Sequence, residues 1–261
     1  MPEKKTNCFS RILIIVLGLL LIGGWAPDAP AQEKSSAQDP VALIRQMCDY
    51  MKSLKQFSFR AEITADEVAP DGRTIQYGLD MQTYVKRPDR MRVNAAGDLV
   101  NKEFFFNGKS ITLYDRTLNV YGTMDVPPGI EAALDKAYKD FGVTVALTDL
   151  ASPTLWEQIS KGLERPSYAG RHKVRGVACH HIVFDRGDSE FQVWIDVGTK
   201  PLPRKILVTM GKREGSPQWE GYMSDWKTSA ALRDGLFQFV APPGTQKIQF
   251  VPMQKTETPL K

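Results

Sequence analysis

The sequence predicts a mainly β protein of the α+β class, whose strongly curved antiparallel sheet, an incomplete barrel, carries helices across its concave face. Apolar and polar residues alternate over long stretches from residue 57 onward, as they do in strands with one buried face. Helical spacing of apolar residues occurs around residues 41–54, 130–141 and 155–163. So few helices cover a sheet of roughly ten strands only if the sheet curves around them.

The first 31 residues have the three parts of an export signal. Basic residues precede residue 12, residues 12–25 are almost wholly apolar, and Ala29-Pro30-Ala31 fits the small-residue pattern of a cleavage site. An uncleaved membrane anchor is the alternative, although the apolar run is shorter than the ~20 residues that span a bilayer. We therefore expect cleavage after Ala31 and a periplasmic location.

The remaining chain predicts one domain at residues 39–251, between a disordered leader at residues 32–38 and a flexible tail at residues 252–261. Hydrophobic residues make up 42% and charged residues 25% of the chain, which is a globular composition. The net charge of +4 is small and spread along the chain, so we expect no nucleic-acid partner.

The domain begins with an amphipathic helix. Asp39 and Pro40 predict a helix N-cap and the first helical residue, and the helix runs to about Lys55. The apolar residues at helical spacing are Val41, Ile44, Met47, Cys48, Met51 and Leu54.

Two long strands follow this helix. Phe57 and Phe59 alternate with polar residues in the first strand, and Tyr77, Leu79 and Met81 do so in the second. One face of each strand is therefore expected to lie on a core and the other in water. Further strands are predicted at residues 90–95, 103–106, 110–114, 119–124, 168–174, 177–184, 191–195, 204–210 and 219–226, with an edge strand at 248–251.

Two helical segments interrupt the strands, and their apolar residues at helical spacing lie within residues 130–141 and 155–163. Ser152 and Pro153 predict the N-cap and first residue of the second segment. The two long strands present more apolar surface than the first helix covers. We therefore expect both segments to lie over the same face as a lid, with an apolar pocket beneath it.

Five stretches resemble the LolA/LolB-like superfamily, whose LolA members carry lipoproteins to the outer membrane, and they occur in that family's order. Residues 84–90 (YVKRPDR) resemble its strand end, and residues 105–114 (FFNGKSITLY) resemble its hairpin. Residues 193–196 (VWID) and 201–205 (PLPRK) match a further pattern, and residues 236–244 (LFQFVAPPG) match its phenylalanine- and proline-rich ending. The resemblance spans nearly the whole domain.

Within the superfamily the chain is most similar to predicted periplasmic proteins of unassigned function. It differs from LolA in length, in the strand with Cys179-His180-His181 and at residues 125–163. The resemblance implies a LolA-like fold, an incomplete barrel whose helices form a lid over an apolar cavity. It favours the binding of something hydrophobic more than lipoprotein transport in particular.

The resemblance also gives Arg87 a gating role, because the matching arginine of LolA lies at the cavity mouth and bonds to the backbone of the lid. The alternative is an ordinary exposed arginine at a strand end before Pro88. The apolar side chains expected to bind the ligand near Arg87, or to be plain core in the alternative, are Phe57, Phe59, Tyr77, Leu79 and Met81.

The two cysteines of the domain allow a disulfide. Cys48 lies on the apolar face of the first helix, and Cys179 shares a strand face with His181. The cysteines come within bridging distance if the helix packs on that strand face, and an oxidising periplasm would then close the bridge. Two free buried thiols are the alternative.

The sequence carries no pattern for a metal site, a cofactor or catalysis. His180 and His181 are neighbours in a strand and point to opposite faces, whereas zinc needs three or four ligands. Residues 108–110 (GKS) predict a hairpin and not a phosphate-binding loop, because Glu103 stands where that loop needs a glycine. There is no Gly-x-Ser-x-Gly elbow of a serine hydrolase. We expect a protein that is not an enzyme.

Three functional hypotheses follow. The first is a non-catalytic periplasmic binding protein that holds an acyl chain, a lipid or a lipid-modified partner between sheet and lid helices, with transient contact to a membrane surface. The second is an envelope sensor or scaffold of the same fold that binds a protein partner. The third is a hydrolase with an unrecognised site. Lipid extracted from the purified protein favours the first hypothesis, and ligand-free protein that retains an envelope partner favours the second.

Overall fold

The computed structural model describes residues 38–211, 213–229 and 231–252. The expected export signal at residues 1–31, the expected leader except Gln38, and the expected tail beyond Pro252 lie outside these residues. None of the helices in the described ranges is long and apolar enough to cross a lipid bilayer.

Three α-helices and twelve β-strands form the described part of the chain, with two short 3-10 helices at Thr148–Ala151 and Asp234–Phe237. The N-terminal elements are α1 Pro40–Ser53, β1 Gln56–Val68, β2 Thr74–Lys86, β3 Arg90–Gly97, β4 Asn101–Phe106, β5 Ser110–Asp115 and β6 Val120–Asp125. The later elements are α2 Ile130–Phe141, α3 Leu155–Ser160, β7 Glu164–Val174, β8 Val177–Arg186, β9 Ser189–Asp196, β10 Pro203–Thr209, β11 Gln218–Lys227 and β12 Gln246–Ile248.

The strands form one open, curved sheet in the order β12-β6-β5-β4-β3-β2-β1-β11-β10-β9-β8-β7. β1 pairs with both β2 and β11 and so joins the strands from the two halves of the chain. Neighbours are antiparallel except β12, which runs parallel to β6. The predicted mainly antiparallel open sheet is confirmed. The edge strand predicted at residues 248–251 is instead at 246–248, because Gln246 N–H donates to Asn119 O at 3.1 Å.

Helix α1 forms as its sequence predicts. The side chain of Asp39 accepts a hydrogen bond from Val41 N–H at 2.9 Å, and Pro40 opens the first turn. The residues that α1 buries are Leu43, Ile44, Met47, Cys48 and Met51.

Helix α2 crosses the N-terminal half of the sheet. At its start Ile130 N–H donates to Pro88 O in the β2–β3 turn at 3.1 Å. At its end the ring of Phe141 lies 5.3 Å from that of Phe250, which packs over Gly122 of β6. The helix therefore spans the apolar face from β2 to β6.

Helix α3 differs from its prediction. It begins at Leu155, two residues after the expected start, and ends at Ser160, before Leu163. Ser152 does not cap the helix, because its hydroxyl accepts from Thr154 N–H at 3.0 Å outside the first turn.

The expected disulfide between Cys48 and Cys179 is not formed, and both thiols are free and buried. Cys48 belongs to the main core, whereas Cys179 belongs to a small cluster with Trp194. Ile182 of β8 lies in the main core, so strand alternation directs Cys179 to the opposite face of the sheet. The bridge prediction failed because α1 packs on the other face of β8.

We expect neither thiol of the domain to react with a thiol reagent at about pH 8 in the native protein, because reaction needs the thiolate. Burial, with Asp49 and Glu157 nearby, raises the pKa of Cys48 to about 12. Burial, with Asp196 nearby, raises the pKa of Cys179 to about 11. Both thiols should react once guanidinium unfolds the unreduced protein, as Ellman titration would measure. Silent cysteines in the unfolded protein would instead indicate a bridge.

Candidate functional site

A cavity of about 520 Å³ lies between the helices and strands β8 to β11. This volume is within the range of small-molecule sites, ~300–1,000 Å³. Its wall on the sheet side is formed by the apolar side chains of Phe184, Phe191, Val193, Ile206, Val208 and Trp219. Its wall on the helix side includes Ile44, Met47, Leu134, Tyr138, Leu155 and Ile159.

The roof of the cavity is an apolar loop between α2 and the first 3-10 helix. Gly142 ends α2 in a left-handed conformation (φ 67°), and its N–H donates to Tyr138 O at 2.8 Å. This turn sends the chain back over the sheet. Val143, Val145 and Leu147 are then half-buried against the core, and all three line the cavity. We call residues 130–160, which contain α2, this loop, the 3-10 helix and α3, the lid.

Arg87 fastens the lid to the end of α1. Its guanidinium donates to Leu54 O at 3.0 Å, to Met51 O at 3.3 Å and to Ala151 O of the lid. Burial lowers the pKa of Arg87, because desolvation disfavours its charge. The guanidinium also lies 5.9 Å from the ring centre of Phe57. These contacts are not those of an exposed strand-end arginine.

A second polar junction joins α2 to the start of α3. The carboxylate of Glu131 accepts from Thr154 Oγ1 at 2.9 Å, from Gln158 Nε2 at 3.2 Å and from Ser152 Oγ at 3.4 Å. Sequence reasoning missed Glu131, since a single acidic residue in a first helical turn is ordinary. The lid is thus held internally by Glu131 and to the rest of the domain by Arg87.

The predicted ligand-binding residues lie elsewhere. Phe59 is fully buried and stacks on Trp226 at 4.5 Å, and Phe57 and Met81 are also core residues. None of the side chains predicted beside Arg87 lines the 520 Å³ cavity. Arg87 itself lines a separate hollow of about 480 Å³ beside the start of α2. The two half-buried members of the predicted set are Tyr77 and Leu79.

The cavity is displaced from β1 and β2 because other groups occupy that space. Phe57, Phe59 and Trp226 pack against each other, and α2 begins beside the β2–β3 turn, where Ile130 N–H donates to Pro88 O. The lining residues Val193 and Ile206 lie in strands that the sequence predicts. The alternation of apolar and polar residues in these strands identifies an apolar face. It does not indicate which part of that face other side chains leave uncovered.

The histidines serve hydrogen bonds on two faces of the sheet. His180 Nδ1 lies 3.0 Å from the hydroxyl of Tyr168, and His181 Nε2 lies 2.9 Å from Gln192 Oε1. His181 Nδ1 also lies 3.0 Å from His172 Nδ1. Across the ranges that the structure describes, no group of three or more His, Cys, Asp or Glu residues could hold a metal ion.

The solved structures to which this chain is similar are distant from it in sequence. LprF from Mycobacterium bovis is 13% identical with a TM-score of 0.47, covering 74% of this chain and 94% of LprF. MucB, also solved in the Pseudomonas aeruginosa MucA/MucB complex, is 14% identical with a TM-score of 0.46 over 79% of this chain. This chain spans 64% of that MucB chain. A LolA superfamily protein from Nitrosomonas europaea is 11% identical with a TM-score of 0.36, covering 76% of this chain and 96% of that one.

The family of the chain is shown by a family model that matches its sequence. No curated protein matches the chain. The model of a family described as predicted periplasmic protein (DUF2092) matches residues 41–251, which confirms the resemblance to predicted periplasmic proteins. The chain belongs to this family of predicted periplasmic proteins.

Proposed function

We propose that this protein is a non-catalytic periplasmic binding protein that holds the acyl chain of a lipid, or of a lipid-modified partner, beneath the lid. The observation that carries the proposal is the cavity of about 520 Å³ with apolar side chains on both walls. Burial of an acyl chain contributes ~0.8 kcal/mol per CH₂ group. Eight or ten such groups would offset much of the entropy lost on binding.

The construction of the lid supports a gating role for Arg87. The lid meets the end of α1 through backbone carbonyls that Arg87 binds, so those contacts can break without unfolding a strand. Lids of this kind open and close over enclosed ligands in many proteins. Ligand entry beneath residues 143–147 would require such an opening.

The polar groups of the cavity support a binding role over a catalytic one. Its described hydroxyl groups belong to Tyr138, Thr144 and Thr148. Thr148 Oγ1 donates to Val145 O at 3.0 Å, and none of the three hydroxyls has a histidine partner in the described part of the chain. A nucleophile needs an adjacent base.

Native mass spectrometry of protein exported by its own signal tests ligand and location together. We expect the denatured chain to begin at Gln32, because Ala29-Pro30-Ala31 fits a cleavage site. We expect the native protein to carry an additional mass that organic solvent extracts as a lipid. A chain that begins at Met1 would overturn the export proposal. Protein without bound lipid that also fails to bind added fatty acid would overturn the binding proposal.

A further inference from the structure

At the mouth of the cavity lies a cation whose side chain has no partner within the part of the chain that the structure describes. Arg186 is the only positively charged residue among the described side chains that line the cavity. We propose that Arg186 binds a singly charged anionic headgroup, so that the protein selects long-chain carboxylates and similar amphiphiles over neutral ones. This inference rests on the proposed function of the cavity.

The position of Arg186 continues the apolar wall to the solvent. It is the last residue of β8 and is exposed, and it lies on the same strand face as Phe184. The ring of Phe184 stacks on that of Phe191 at 5.4 Å within the wall. A chain lying along these rings would bring its headgroup to the guanidinium. The site is thus apolar in its interior and positively charged at its mouth.

Arg186 is free to receive a ligand. Its side chain makes no hydrogen bond or ion pair with any residue that the structure describes. The aliphatic part of its side chain packs over Gly162, so that a Cβ atom added at Gly162 would lie 3.1 Å from Arg186 Cγ. By contrast, Arg204 is held by Asp196 at 2.7 Å and Arg175 by Glu62 at 2.7 Å. A guanidinium without such a carboxylate suits bidentate binding of a carboxylate or phosphate from a ligand.

The carboxylates at the cavity limit the charge of the headgroup. Asp135 and Asp149 also line the cavity, and neither forms an ion pair with Arg186. Asp135 is paired with Lys139 at 3.7 Å, whereas Asp149 has no side-chain partner in the described chain. Arg186 can neutralise one negative charge, no second cation lines the described cavity, and the carboxylate of Asp149 repels a further negative charge. A headgroup with one negative charge is therefore preferred.

Three ligands of equal chain length test the inference: laurate, dodecanol and dodecyl phosphate. Trp219 in the cavity wall reports binding by its fluorescence. At about pH 8 a phosphate monoester carries nearly two charges. We expect laurate to bind more tightly than either other ligand. Arg186→Gln should weaken laurate binding about tenfold, the scale of a charged hydrogen bond, and leave dodecanol binding unchanged.

Arg171→Gln is the matched control. Arg171 is an exposed arginine of β7 whose side chain forms no hydrogen bond or ion pair with the described residues, and it does not line the cavity. Its loss should leave laurate binding unchanged. Equal binding of laurate and dodecanol, with no effect of Arg186→Gln, would overturn the headgroup inference and leave the binding proposal standing. Stronger binding of dodecyl phosphate would overturn the single-charge preference. Failure of all three ligands to bind would overturn the proposed function itself.

Discussion

Replacing Arg87 by alanine is expected to lower the free energy of unfolding by about 2–4 kcal/mol and to loosen the lid. The change removes the donor from carbonyls of Met51, Leu54 and Ala151, and an unsatisfied buried polar group costs ~1–3 kcal/mol. Water that reaches the opened site offsets part of this loss. Urea unfolding measures the first effect, and hydrogen exchange at residues 148–160 measures the second.

Arg60→Ala is the control for loss of a strand arginine. Arg60 of β1 forms an exposed ion pair with Asp80 at 3.0 Å, so its replacement should leave the free energy of unfolding almost unchanged. Arg87→Lys should recover only part of the lost stability. The guanidinium of arginine is a planar group whose several N–H donors reach three separate carbonyls, whereas the compact ammonium group of lysine cannot. Equal stability and equal exchange in the Arg87→Ala and Arg60→Ala proteins would show that Arg87 does not hold the lid.

Filling the cavity is expected to weaken ligand binding strongly with little loss of stability. Ile206 and Val208 both line the cavity from β10, so Ile206→Trp combined with Val208→Trp places two indole rings in the space proposed for the acyl chain. The rings enter a cavity and not a packed core, which avoids most of the ~1–3 kcal/mol cost of overpacking. Laurate titration should show binding weakened by about tenfold or more, corresponding to ~1.4 kcal/mol or more.

Leu207→Trp is the matched control, since it lies between the two changed residues and packs on the opposite face of the sheet. It should retain laurate binding. Unchanged binding in the Ile206→Trp/Val208→Trp protein, with its melting temperature preserved, would place the ligand outside the cavity.

Local patterns were sufficient to predict most elements of the fold. Phe57 and Phe59 alternate with polar neighbours over enough residues to identify β1, and Asp39 caps α1 with its own side chain. The parallel direction of β12 carries no such pattern. It depends on a hydrogen bond from Gln246 to Asn119 and on the packing of Phe250 over Gly122, contacts between residues far apart in the chain.

The candidate site was less predictable for the same reason. The sequence resemblance drew attention to Arg87, but its partners Met51 and Ala151 are identified only by the packing of α1 against the lid. The cavity forms over strands β8 to β11, but strands such as β1 and β3 have a similar apolar face. Cys179 shows the same limit, because its strand face was assigned correctly while the face on which α1 packs was not.

Strand β7 disfavours association between copies of the protein through the edge of the sheet. It forms one border of the sheet, and bulges between Glu164 and Ser167 and between Tyr168 and Gly170 interrupt its pairing with β8. Pro166 removes one backbone donor from that border. The strand also contributes positive charge from Arg165, Arg171 and Lys173. An irregular, positively charged edge strand is a poor template for pairing with a further strand. The sheet can therefore remain open for ligand entry without promoting fibril-like association of the protein.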